Sequence, residues 1–312
     1  MGKYKVIQGQ NIYDVALHIY GSVEGVTDLM VSNETLSFDT DLKAGDELIY
    51  TDDYRINEEV TAYYETHGII PASGQQHVYP KYFTLPKTVE VYTSNKEIGV
   101  GFTVSGNGKI EVDWGDNSEV QTITLSDKTT VISHLFDSTI GGKRCISLYI
   151  QGYIKYLDIS ELRPFELYIL KPLSIERFAL NNATLTIDAL PMLGDVFSLT
   201  LDGLKTLDLT PLVELKNLMS LSLMQTVFRQ PTIDAYLIGL VERHDNRRNC
   251  KVTMTVLPSG EYREPRKDSN NQYMLTSGME AVWVLTHEEA WNEGGVWEFI
   301  INETIYKYEQ NH

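Results

Sequence analysis

Leu157-Asp158-Ile159, Phe178-Ala179-Leu180, Leu199-Thr200-Leu201 and Leu221-Ser222-Leu223 recur at spacings of 21, 21 and 22 residues. Each triplet places apolar side chains at i and i+2, the spacing of one strand face. A second register interleaves them: Leu167-Tyr168-Ile169, Leu185-Thr186-Ile187 and Leu207-Asp208-Leu209. A coil near twenty residues cannot bury its own apolar edge, so neighbouring coils must stack, and residues 152–312 read as a solenoid. Residues 231–241 form an apolar helical pattern opened by Pro231, followed by a strand near 252–257. A helix at 277–292 and strands at 297–301 and 304–308 are expected to form a C-terminal α/β cap over the last coil.

Upstream, from Thr88, the period is two. Val89-Glu90-Val91-Tyr92-Thr93, Gly99-Val100-Gly101-Phe102-Thr103-Val104 and Lys109-Ile110-Glu111-Val112-Asp113-Trp114 alternate apolar with polar, with Ser105-Gly106-Asn107-Gly108 as a hairpin signal. Further strands at 120–125, 130–133 and 146–150 predict a small β-sandwich over residues 88–151. Residues 54–87 read as a linker with one short helix from Asn57, bounded by Pro71 and Pro80. Residues 1–53 read as a strand–helix–helix–strand unit, with Asn11 as a helix N-cap and Gly21 at a helix end.

The 312 residues carry 26 Lys and Arg against 43 Asp and Glu, a net charge of −17, so neither a nucleic-acid nor an anionic-lipid partner is expected. The single basic run is Arg243-His244-Asp245-Asn246-Arg247-Arg248, broken by an acid. Two isolated cysteines, Cys145 and Cys250, exclude a thiolate zinc site and a disulfide framework, while a single disulfide between them stays open. No apolar run is long enough to span a membrane. Residues 1–9 hold two lysines with no apolar run behind them, so no signal peptide is expected.

Three resemblances rest on particular residues. Val6-Ile7-Gln8-Gly9-Gln10-Asn11-Ile12-Tyr13-Asp14-Val15-Ala16 resembles the opening of a LysM module, and the stretch from Leu42 through Gly45 to Leu48 resembles its close. Tyr20-Gly21-Ser22-Val23-Glu24-Gly25-Val26 resembles a run in the tail protein X family of contractile-tailed phages. Ile110-Glu111-Val112-Asp113-Trp114-Gly115-Asp116-Asn117-Ser118 resembles the WGDG signature of PKD-type, immunoglobulin-like domains, with Asn117 in place of the usual Gly. His134-Leu135-Phe136, Gly141-Gly142 and 146–150 resemble that family's ending. The solenoid resembles leucine-rich repeats, with Asn181-Asn182 at the family's asparagine position. A WGDG-type domain joined to such repeats resembles surface proteins of Bacteroidetes-like bacteria and their phages. Together these imply a multidomain α+β chain: a LysM-like βααβ domain, a small Ig/PKD-like β-sandwich, and a leucine-rich-repeat-like solenoid with its α/β cap.

The chemistry points away from catalysis. Asp113 and Asp116 flank Trp114-Gly115 and could be an acid–base or metal pair, but Asp and Gly in that order serve a turn, which is also their role in the PKD-like family. His287-Glu288-Glu289 lacks the second His of a zincin helix, and no P-loop or nucleophile elbow is present. No enzyme activity, cofactor or metal is expected. The LysM resemblance implies a groove lined by Gln10, Asn11 and Ile12 with Met30 and Ser32 opposite, contacting either glycan or a tail protein. Tyr149, Tyr153, Tyr156 and Tyr168 are a second candidate binding face.

The resemblances imply a structural protein of a phage tail or baseplate, or a related contractile apparatus. It would be made in the bacterial cytoplasm and located in the virion tail. Its expected partners are other tail or baseplate proteins, with a homo-oligomeric ring in the assembled particle. The competing expectation is a bacterial envelope-associated protein contacting peptidoglycan or a host surface.

Overall fold

The computed structural model describes residues 1–73, 81–116, 118–136 and 142–308. Asn117, Gly141 and residues 74–80 of the expected linker lie outside them. The chain forms two compact units, Met1–Tyr79 and Pro80–His312.

In the first unit β1 (Gly2–Lys5) leads to α1 (Ile12–Tyr20), a 3-10 turn at Val23–Gly25, α2 (Val26–Ser32), β2 (Glu47–Tyr50) and α3 (Glu58–His67). The two strands pair antiparallel, from Gly2 opposite Tyr50 to Lys5 opposite Glu47. Asn11 starts α1: its side chain accepts from Asp14 N at 2.9 Å, and Asp14 Oδ2 accepts from Asn11 N at 3.0 Å. This reciprocal box satisfies donors the first helical turn would otherwise leave orphaned. Ile12, Val15, Ala16, Ile19 and Tyr20 are buried against Val6, Val26, Leu29 and Leu48. The third helix is tied to the first, because the Tyr20 carbonyl accepts from both Ile56 N and Asn57 N at 2.9 Å.

The second unit contains β3 (Lys87–Ser94), β4 (Gly99–Asp113), β5 (Gln121–Leu125), β6 (Thr130–Leu135), β7 (Lys143–Asp158), β8 (Glu166–Ile169), β9 (Ile175–Ala179), β10 (Ser198–Thr200) and β11 (Ser220–Leu223). It continues with α4 (Gln230–Glu242), β12 (Lys251–Met254), α5 (Gly278–His287), β13 (Glu298–Ile301) and β14 (Thr304–Lys307). These strands form one twelve-stranded mixed sheet.

The expected fold class is corrected by this sheet. In place of a multidomain α+β chain of βααβ domain, separate sandwich and capped solenoid, the protein is mostly β, with 31% strand against 23% helix. Among the described residues the first unit carries three helices around two four-residue strands, not a closed LysM-like βααβ module. No boundary falls at 151/152, because β7 runs through it. The first half of β7 pairs antiparallel with β3, and its last residues pair parallel with β9. Its other edge pairs with β4 from Ser147 to Asp158. The expected C-terminal cap is likewise absorbed: β13 extends the ladder parallel to β12, and β14 folds back antiparallel on it.

Ser105-Gly106-Asn107-Gly108 is not a hairpin but the middle of β4. Gly108 lies opposite Gly152, with φ of +125° and +131°. A Cβ on either glycine would come within 2.1 Å of a carbonyl oxygen on the other strand. The glycines let two long strands bend across each other without a break. A register shift between Ser105 and Gly106 marks the same bend.

Beyond the bend the sheet becomes a parallel ladder. Leu157, Phe178, Leu199, Leu221, Val252 and Phe299 stand in register on β7, β9, β10, β11, β12 and β13, all buried. Burying one such side chain is worth about 2 kcal/mol. A net backbone hydrogen bond adds only about 1 kcal/mol. The stacked apolar row therefore holds strands as short as three residues.

Candidate functional site

The Asp113–Asp116 segment ends β4 and is filled by its own contacts. Asp113 Oδ1 accepts from Gly115 N at 3.0 Å and from Lys81 Nζ at 2.6 Å. Gly115 has φ +72°, and a Cβ there would lie 2.1 Å from the Cys145 carbonyl oxygen. Trp114 is buried, donates Nε1–H to Gln121 Oε1 at 3.0 Å, and stacks on His134 at 4.8 Å with planes 5° apart. Asp116 Oδ1 accepts from Ser118 N at 3.0 Å and Ser118 Oγ at 2.5 Å, and Oδ2 accepts from His134 Nε2 at 2.6 Å. Burial raises the Asp116 carboxyl, but the Ser118 and His134 hydrogen bonds outweigh it and hold the group below its ordinary value. A hydrolytic triad needs the imidazole between nucleophile and acid. Here the carboxylate sits in the middle and accepts a hydrogen bond from each neighbour, so the Ser118 hydroxyl is directed at Asp116 and not at the imidazole. Buried Arg144 completes the cluster, donating to Gly115 O at 3.2 Å with its guanidinium 3.8 Å from the Phe136 ring centroid.

The expected N-terminal groove residues are largely occupied. Gln10 and Ile12 are buried. Gln10 Nε2 donates to the Pro71 carbonyl at 2.9 Å and Asn11 Nδ2 to Ser73 Oγ at 3.1 Å. Ser73 in turn donates through N and Oγ to Asp14 Oδ2, at 3.0 and 2.9 Å. The chain's own residues 71–73 thus lie over Gln10, Asn11 and Asp14. Met30 is half-buried against the helical core and Ser32 is half-exposed.

The parallel ladder presents a polar face. Tyr156, Arg177, Ser198, Ser220, Lys251 and Glu298 stand in register, each exposed or half-buried. A parallel sheet is ordinarily covered on both faces; an open one is characteristic of stacked-coil binding surfaces. Tyr153 donates to Glu176 Oε1 at 2.8 Å, and Arg177 lies 5.1 Å from the Tyr156 ring centroid. Half-buried Phe197 and exposed Met219 immediately precede Ser198 and Ser220 and both meet Arg248. Of the other tyrosines singled out, Tyr149 is buried and stacks on Phe83 at 3.9 Å, while Tyr168 is exposed on β8 beside Tyr92.

At the amino ends of β11, β12 and β13 this face opens into a cavity of about 1010 Å³. Much of its wall is residues 244–248 of the basic run, which sequence alone presents as a broken cationic patch. The loop turns through Asp245 and Asn246 at positive φ. Arg247 is buried, donating to the carbonyls of Val213 and Leu215. His244 stacks on Trp291 at 3.9 Å with planes 5° apart. Burial, then the neighbouring Arg247 charge, lowers the His244 pKa to about 4, so the ring is neutral near pH 7. Arg248 lies over Phe197 and contacts Met219 Sδ at 3.6 Å, with no carboxylate partner among the described residues. Lys251 pairs with Glu298 at 2.8 Å. Sequence reasoning missed the cavity because His244 and Trp291 meet only through the stacking of coils.

Cys145 and Cys250 are free thiols. Among the described residues no group of three or more His, Cys, Asp or Glu is placed to hold a metal ion. No described helix is long and apolar enough to cross a membrane. No family model, curated protein or solved structure matches the chain.

Proposed function

We propose that the chain is a non-enzymatic structural component of a phage tail or baseplate, or of a related contractile apparatus. In this reading residues 1–79 dock to other tail proteins, and the β-rich unit presents its open ladder face to a partner. The observation that carries the reading is that face, a row of polar side chains that includes Tyr156, with Tyr153 beside it. Large, stiff aromatic side chains of this kind anchor protein contacts at low entropy cost. The resemblance of 20–26 to the tail protein X run adds support, because its residues have packing roles here. Buried Tyr20 covers Gly25, where a Cβ would lie 2.1 Å from the ring, and donates to Asp28 Oδ2 at 2.5 Å.

The competing reading, an envelope protein gripping peptidoglycan through Gln10 and Asn11, has less support, since residues 71–73 already occupy those side chains. Mass spectrometry of purified particles, washed in high salt, tests the choice. The tail reading expects the chain to stay with the particles. Its recovery in the cell-envelope fraction and absence from particles would contradict it.

A further inference from the structure

The cavity at the amino ends of β11, β12 and β13 shares Met219, Lys251 and Glu298 with the ladder face, and its chemistry narrows what it can hold. Its volume, about 1010 Å³, is at the upper end of ligand sites, which run from ~300 to ~1,000 Å³. Arg247, Arg248 and Lys251 in the wall are matched by Glu242, Asp245 and Glu298. That balance, inside a chain of net charge −17, disfavours a polyanion, and the three cationic side chains disfavour a cation. An apolar ligand would shield Arg248, Asn246 and Glu242 from part of their water and offer them no partner, at a desolvation cost. An uncharged ligand rich in hydroxyls meets both sets of groups, because each hydroxyl donates to a carboxylate and accepts from a guanidinium or amide.

We infer that this cavity is a binding site for a neutral saccharide of one or two rings. Arg248 and Asn246 are exposed donors at its wall, and Glu242 is an exposed acceptor. Trp291 lines the same wall, half-buried with one ring face stacked on His244, and supplies the kind of rigid aromatic surface a sugar ring can pack on. Gly294 leaves the mouth open, since a Cβ there would meet nothing within 4 Å. The inference is separate from the tail reading, because sugar binding by the isolated chain does not depend on what particle it joins.

Saturation-transfer NMR on the full-length protein tests it. The probes are glucose, galactose, mannose, N-acetylglucosamine, maltose and lactose, with glucuronic acid as the charged comparator. At least one neutral probe should show saturable binding. Arg248→Ala should weaken that binding about tenfold, the loss expected for a hydrogen bond from a charged donor. Gly294→Phe, which adds a ring in open space at the mouth, should abolish it. A thermal melt within a few degrees of wild type for each variant keeps loss of binding from being loss of fold. Binding by no neutral probe would overturn the inference. Preference for glucuronic acid over glucose, or binding that survives both substitutions, would also overturn it.

Discussion

Four carboxylates with backbone or hydroxyl donors carry much of the local order: Asp28, Glu111, Asp116 and Glu280. Glu111 shows the pattern. It is buried, and it accepts from Thr84 N at 2.9 Å, Thr84 Oγ1 at 2.5 Å and Leu85 N at 3.2 Å, pinning the segment that leads into β3. Burial raises each of the four, and donated hydrogen bonds more than reverse it, so all are held below their ordinary values. A carboxyl with a depressed folded pKa contributes stability that is complete above its unfolded pKa and lost as pH falls through the folded one. Urea midpoints should therefore hold near neutrality and fall as pH drops below about 4. Glu111→Gln should cost about 2 kcal/mol at pH 7 and make the acid slope shallower; an unchanged slope would remove Glu111 from the account. These contacts were partly legible. Asp113 to Asp116 read as a turn because Asp and Gly act locally, but Lys81, Glu111 and Arg144 gave no signal, since their partners are distant in sequence.

The decisive element is β7, which serves the antiparallel and parallel parts of the sheet at once. Its continuity depends on Gly152 facing Gly108, where no side chain fits. Gly152→Ala should destabilise the protein by at least about 2 kcal/mol, while Gly294→Ala, with open space around it, should stay within about 0.5 kcal/mol. Equal melting temperatures for the two variants would contradict the crossing. The same glycines explain why the fold class was not legible. Glycine inside a strand and glycine in a hairpin look alike in sequence, so Ser105–Gly108 suggested a turn and Gly152 sat beside an expected domain boundary. The strands themselves were easier to place. The apolar triplets at 157, 178, 199 and 221 lie on β7, β9, β10 and β11, because a buried row imposes its spacing on the chain.

Across the whole molecule, the two units make different demands. Asn57, Thr61, Pro71 and Ser73 all contact α1 or its flanking residues, so residues 1–79 should give a dispersed amide spectrum, whereas a fragment ending at Asp53 should melt at lower temperature. An equally stable shorter fragment would show that α3 adds nothing. Fragment 1–79 should also be poorly retained on purified peptidoglycan; firm retention, lost on Asn11→Ala, would favour the envelope reading. With a net charge of −17 the chain repels its own copies unless a contact is specific, so the isolated protein should be monomeric or weakly associated. The tail proposal therefore expects ordering into a ring only in the particle, where a recurring heterologous contact could close. Imaging of the intact particle tests this most directly. Density for residues 1–79 seated on the tail ring, with the β-rich unit projecting from it, is the predicted result. A ring built by the β-rich unit, with residues 1–79 hanging free, would contradict the account.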